Sequence, residues 1–124
     1  MLAVAVAVVI AALVGLVVGS FLGTLVLRPP KGMQVVSGRS MCPSCGHQLK
    51  ASELIPVVSW LIQRRRCRAC GLPIPVFYPA MEIAGAMIAG LSVAFVPWPF
   101  CLAACAAGWV LLVTCGRLLM KTDA

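Results

Sequence analysis

From Leu2 to Leu27 the chain carries no charged side chain, and only Ser20 and Thr24 interrupt its apolar character. At about 1.5 Å per helical residue this run exceeds the roughly 30 Å hydrocarbon core of a bilayer, so it predicts a membrane-spanning helix. A second apolar run, Ala80 to Val96, holds Glu82 as its one charge, and a third extends from Phe100 to Gly116. Pro97-Trp98-Pro99 predicts a tight hairpin between them. Between Arg28 and Tyr78 the pattern changes: Pro29-Pro30, Gly32, Ser37-Gly38 and Pro43 mark turns rather than long elements. The expected fold is an all-α membrane protein with three transmembrane helices, divided as 1–27 (first span), 28–78 (polar loop) and 79–124 (helical hairpin with a short tail).

Composition supports this division. The chain is 62% hydrophobic and 10% charged over 124 residues, more apolar surface than a soluble domain of this size can bury. The net charge of +7 is unevenly placed. Arg28, Lys31, Arg39, Lys50, Arg64, Arg65, Arg66 and Arg68 lie in the loop, and Arg117 and Lys121 follow the third span. With three spans the loop and the C-terminus share one side, and their basic residues predict that side to be cytoplasmic, with the N-terminus outside. The charge therefore reads as a topology signal, with attraction to anionic membrane lipid second. Nucleic-acid binding is not expected, because no aromatic-interleaved basic patch accompanies the charge. The first segment lacks a basic n-region and is about twice the length of a signal-peptide core, so it reads as a retained anchor.

Gly15, Gly19 and Gly23 recur every four residues, beside Ser20, and would share one helical face. In lipid such a stripe allows close helix approach, either within this chain or against another membrane protein. Cys101, Cys105 and Cys115 fall within about 80° of arc at 100° per residue. Since Cys also packs as a small hydrophobe, helix packing is favoured over a metal path. The Pro-interrupted segment Leu54 to Ile62 is too short to span and is expected at the membrane surface, with Trp60 at headgroup level.

The chemistry concentrates in two knuckles, Cys42-Pro43-Ser44-Cys45-Gly46 and Cys67-Arg68-Ala69-Cys70-Gly71, the only internal repeat. Two Cys-x-x-Cys units supply four soft ligands at a spacing suited to tetrahedral zinc, and a full set of four leaves no open position, so the ion would be structural. Gly46 and Gly71 suit the sharp turns that aim backbone N–H groups at sulfur. Lys50, Arg64, Arg65, Arg66 and Arg68 would offset the negative charge of four thiolates and favour the ionised thiols. A redox or disulfide role is the alternative, disfavoured by a reducing cytoplasm. His47 follows a complete ligand set and is expected at the surface.

Glu82 is the one ionisable group inside a span. An intramembrane carboxylate points to function, yet at this shallow depth it would also reach Arg28 or another loop cation, and Pro79 ahead of it suits a helix start. Glu53 and Asp123 are the other acids, Asp123 in the tail.

Gly19-Ser20-Phe21-Leu22, Arg39-Ser40-Met41-Cys42-Pro43-Ser44-Cys45-Gly46, Ile55-Pro56-Val57-Val58-Ser59-Trp60-Leu61, Arg66-Cys67-Arg68-Ala69-Cys70-Gly71 and Tyr78-Pro79-Ala80-Met81-Glu82 follow in that order. Over roughly Gly15 to Gly90 the chain resembles the N-terminal domain of the type IV prepilin peptidases. These are bifunctional inner-membrane enzymes of pilus and type II secretion systems that cleave prepilin leaders and methylate the new N-terminus. The chain departs from the family pattern at Gly23, where Asn is usual, and at Phe77, where Arg is usual.

The resemblance implies a bacterial inner-membrane protein acting on pilin-like substrates. Family peptidase activity uses two membrane aspartates, one in a Gly-x-Gly-Asp setting, whereas Asp123 is the one Asp here. The expectation is a subunit that works with a separate membrane aspartyl peptidase chain, or a zinc-stapled adaptor without activity, or a truncated remnant. Methylation with S-adenosylmethionine needs a neutral α-amine placed in line with the sulfonium methyl. Glu82 and Glu53 are the candidate catalytic carboxylates. No glycine-rich loop follows a strand, which excludes a Rossmann-type methyltransferase.

Overall fold

A computed structural model describes residues 1–27, 40–42 and 44–122, so expectations resting on Arg28, Lys31, Arg39, Pro43 and Asp123 lie outside the described residues. The described chain runs α1 (Leu2–Leu27), a single 3-10 turn (Ala51–Glu53), α2 (Val58–Ile62), α3 (Phe77–Phe95) and α4 (Trp98–Thr122). The helices α1, α3 and α4 are each long and apolar enough to cross a membrane. They match the three expected spans with shifted ends. α3 starts ahead of Ala80 because Pro79, with its fixed φ and missing N–H, is tolerated in a first helical turn. The same reason lets α4 begin at Trp98, ahead of Pro99, and it continues past Gly116 through Arg117 and Lys121, whose long side chains can carry their charge toward water. The hairpin reduces to Val96-Pro97, closed by Val96 N–H to Ser92 O at 2.9 Å and Phe100 N–H to Pro97 O at 2.9 Å.

The bundle is built around the glycine stripe, which serves packing within the chain. Gly15, Gly19 and Gly23 are buried on α1 against α3. A Cβ at Gly19 would lie 2.8 Å from Glu82 Cα, and one at Gly85 would lie 2.9 Å from Gly19 Cα. Backbones can meet this closely only where both helices lack side chains, and the gain is dispersion contact in a solvent that offers no hydrophobic drive between helices. α4 leans on α3 through Cys101 and Cys105, both buried, whereas Cys115 is exposed. Cys101 Sγ–H donates to Ser92 O at 3.1 Å, and Trp109 Nε1–H reaches Gly85 O at 3.4 Å. The ring tip of Phe77 stands 3.4 Å from where a Gly116 Cβ would be, so the apolar residue at this position packs toward α4.

Trp60 is half-buried. Its indole N–H donates to Ile74 O at 3.2 Å, and the Arg65 guanidinium stacks over its ring at 5.5 Å. A half-buried indole needs an acceptor, and the nearby loop backbone supplies one. Leu54, Ile55, Val58, Leu61 and Ile62 instead form the exposed apolar edge of this segment.

Candidate metal centre and acidic cavity

The two knuckles fold identically. In the first, Gly46 N–H bonds to Cys42 O at 3.0 Å and Cys42 N–H to His47 O at 2.9 Å; in the second, Gly71 N–H bonds to Cys67 O at 2.9 Å and Cys67 N–H to Leu72 O at 2.9 Å. Gly46 and Gly71 share a φ of 71°, left-handed backbone where a Cβ is costly. The single bridges Met41 to Gln48 and Arg66 to Pro73 close each unit as a minimal hairpin. The four Sγ atoms of Cys42, Cys45, Cys67 and Cys70 all lie within 4.8 Å of one another. Cys42 Sγ is 3.9 Å from Cys70 Sγ, and Cys45 Sγ is 4.0 Å from Cys67 Sγ. Four sulfurs about 2.3 Å from a tetrahedral ion stand about 3.8 Å apart, so the tetrad fits a four-sulfur metal centre.

The thiols are too close to ionise independently. The Cys45 and Ser44 backbone N–H groups draw Cys42 down to about 6. At Cys45 the His47 N–H pulls the same way, but burial and the thiols of Cys70, Cys42 and Cys67 outweigh it and push the group up to about 11. Thiolate character therefore starts at Cys42, and a bound cation would displace the remaining protons. His47 is not among the converging ligands: its Nε2 is 3.7 Å from Glu53 Oε2. Of the cations expected to balance the tetrad, Arg68 turns to Glu53 Oε1 at 3.9 Å and Arg65 to Trp60.

Glu53 and Glu82 are both 7% exposed. Glu53 Oε2 accepts the Lys50 N–H at 2.8 Å across the 3-10 turn. That bond holds its carboxyl below the ordinary value of 4.5 against the opposing effect of burial, with His47 and Arg68 adding to the shift. Glu82 Oε2 accepts the Val57 N–H at 2.6 Å. The turn ahead of α2 leaves this backbone donor facing α3; among the described residues no cation lies within ion-pair distance of Glu82, and Arg28 lies outside them. Both carboxylates, 29 positions apart in sequence, line one cavity of about 130 Å³ between the knuckles and the ends of α1 and α3, with Ser20, Trp60, Gln63 and Tyr78 also in its wall.

A family model described as the Bacterial Peptidase A24 N-terminal domain matches residues 13–96, a span that holds the tetrad, both carboxylates and the glycine stripe. The chain belongs to this family. It is 52% identical over 69 residues to the prepilin leader peptidase/N-methyltransferase of Myxococcus xanthus (strain DK1622), covering 56% of this chain and 21% of that protein. It is 36% identical to the prepilin leader peptidase/N-methyltransferase of Stutzerimonas stutzeri over 134 aligned residues, 90% of this chain and 45% of the relative. The Pseudomonas aeruginosa protein of the same name is 35% identical, covering 88% and 44%. The chain thus spans less than half the length of these relatives. No solved structure matches it.

Within this A24 N-terminal domain the sequence singles out the tetrad and both carboxylates, and the structure brings the first four together and the last two onto one cavity. Sequence reading missed Gln63, Trp60 and Tyr78 as cavity residues. The available signal was the placement of Trp60 and Gln63 ahead of the second knuckle, and of Tyr78 at the start of α3, three residues after the Pro73-Ile74-Pro75 segment.

Proposed function

We propose that this A24 N-terminal domain takes part in prepilin processing at the inner membrane, presenting the amino end of a pilin-like substrate to N-methylation. A separate membrane aspartyl peptidase chain would supply leader cleavage. The observation that carries the reading is the cavity beneath the knuckles, where Glu53 and Glu82 converge at the end of the helical bundle. The relatives named as prepilin leader peptidase/N-methyltransferases support the reaction class. The tetrad would hold zinc as a structural ion, and closure by four sulfurs leaves it no role on substrate. The donor set gives the ion one contribution, fixing the knuckles as the cavity roof.

S-adenosylmethionine is the proposed methyl donor. In the transfer, the amine nitrogen gains an N–C bond as the S–C bond breaks, the sulfonium becomes a neutral thioether, and the nitrogen must first shed a proton. A free α-amine has a pKa of about 8, so much of it is protonated near neutrality. Glu82, with Glu53 beside the same cavity, is the proposed proton acceptor and orienting group. The basic residues that flank the loop support a cytoplasmic side for it. Labelling of Lys50 by a membrane-impermeant amine reagent should therefore require inverted vesicles.

The test is reconstitution of the chain with a membrane aspartyl peptidase and a prepilin, followed by mass analysis of the mature pilin. A mass gain of one methyl group that depends on this chain supports the reading; cleavage and methylation unaffected by its omission would refute it. A second reading, a zinc-stapled adaptor without catalysis, draws on one specific observation. Glu53 and Glu82 each give an oxygen to a backbone N–H, as carboxylates that only brace a loop would do.

A further inference from the structure

The helix α2 faces its apolar side outward. Ser59 and Trp60 line the cavity, whereas Val58, Leu61 and Ile62, which share the opposite face at i, i+3 and i+4, are 47%, 60% and 64% exposed. Leu54 and Ile55 just ahead of the helix are exposed as well. A contiguous aliphatic surface of this kind marks a contact with something apolar outside the chain. Its position says what. Glu82 stands five residues into α3, about 7.5 Å from its start at 1.5 Å per residue, and its bond to Val57 N–H at 2.6 Å holds the beginning of α2 level with that end of the helix. The face therefore lies where a bilayer passes from acyl chains to headgroups. Charge is a second, independent feature. Arg64, Arg65 and Arg66 directly follow α2, and all three are exposed. Arg64 N–H returns to Leu61 O at 3.0 Å and Arg65 N–H to Trp60 O at 3.0 Å, with left-handed φ of 51° and 62°, so the chain reverses and keeps these cations at the end of α2. The chain has ten Lys and Arg residues against three acids; of the acids, Glu53 lies within ion-pair distance of Arg68 and Glu82 bonds Val57, which leaves a cationic excess for an anion from outside.

We infer that the outward face of α2, together with Arg64 and Arg66, is a binding site for anionic phospholipid. Leu61 and Ile62 enter the acyl boundary as in an interfacial helix, and the two guanidinium groups take the lipid phosphate in charge-assisted hydrogen bonds. Arg65 is left out because its guanidinium stacks over Trp60 at 5.5 Å. A second copy of the chain fits the face less well, since a symmetric pair would set one arginine cluster against the other. The site is independent of the proposed function, because it lies on the side of α2 away from the cavity. Its effect is to seat the knuckles on the leaflet.

The experiment compares the full chain in nanodiscs of phosphatidylcholine alone and of phosphatidylcholine mixed with phosphatidylglycerol. Amide exchange over residues 54–66 should be at least about tenfold slower in the anionic discs, as expected for two arginines near an anionic surface, and high salt should erase most of the difference. Arg64→Gln combined with Arg66→Gln should abolish the slowing, with the helical signal and slow exchange in the middle of α1 unchanged as the folding check. A benzoylphenylalanine photocrosslinker in place of Ile62 reads the occupant directly, and its adduct should carry the mass of a phospholipid. Equal exchange in the two discs, slowing that survives in the double variant, or a crosslink to a second copy of the chain without lipid adducts overturns the inference. Methylation assays do not bear on it, so its failure and that of the proposed function are separable.

Discussion

Val57 N–H donates to Glu82 Oε2 across 2.6 Å, and this bond ties the short α2 turn to the membrane helix α3. Val57 sits at φ 60° and ψ −49°, and Val58 N–H returns to Pro56 O at 2.6 Å, which makes Val57 the centre of the rarer, strained form of γ-turn. A β-branched residue reaches this conformation only where its surroundings impose it. Glu82 is one such constraint.

Replacing Glu82 by Ala should therefore release the turn. A backbone donor left without its acceptor costs about 1–3 kcal/mol. Amide exchange at Val57 and Val58 should accelerate, while exchange in the middle of α1 stays slow. Unchanged protection at Val57 would show that the turn holds without the carboxylate.

If the tetrad binds a metal as proposed, its removal should melt the loop and spare the bundle. Cys42→Ser and Cys67→Ser each delete one of four ligands, and metal analysis of the purified protein should fall from about one ion per chain toward none. Chelation should speed proteolysis between residues 40 and 74 without reducing the helical signal of the three spans. Full metal content in both variants would dismiss the tetrad as the site.

Glu53 gives a pH dependence of defined sign. Its folded pKa lies below 4.5, so its contribution to stability is present above that value and is lost as pH falls through the folded pKa. Glu53→Gln should destabilise the loop near neutrality, and the gap from wild type should close in more acidic solution. Exchange at Lys50 N–H, followed from pH 6 downward at constant metal loading, reports it; a gap that widens on acidification would contradict the assignment.

The glycine stripe predicts a contrast between two alanines. Gly19→Ala sets a Cβ 2.8 Å from Glu82 Cα, whereas at Gly90 the nearest atom, Ala12 Cβ, is 3.6 Å away. The first should cost about 1–3 kcal/mol as overpacking of a close helix crossing, and the second little. Thermal unfolding in detergent measures both.

The three long apolar helices, the packing face of α1 and the four converging cysteines were legible from sequence, because each rests on a local regularity. A charge-free run long enough for a bilayer, a four-residue repeat and a Cys-x-x-Cys spacing are set by the solvent, the helix period and the coordination number of the ion. Tertiary structure alone decided where the carboxylates went. Which backbone donors are left facing inward depends on how the loop settles on the helix ends, so Glu82 meets Val57, 25 positions away. The same holds for the indole N–H of Trp60, which meets Ile74 O within the chain. The convergence of Glu53 and Glu82 on one cavity follows from the packing of the two knuckles over a bundle, a relation between distant segments that no local pattern encodes.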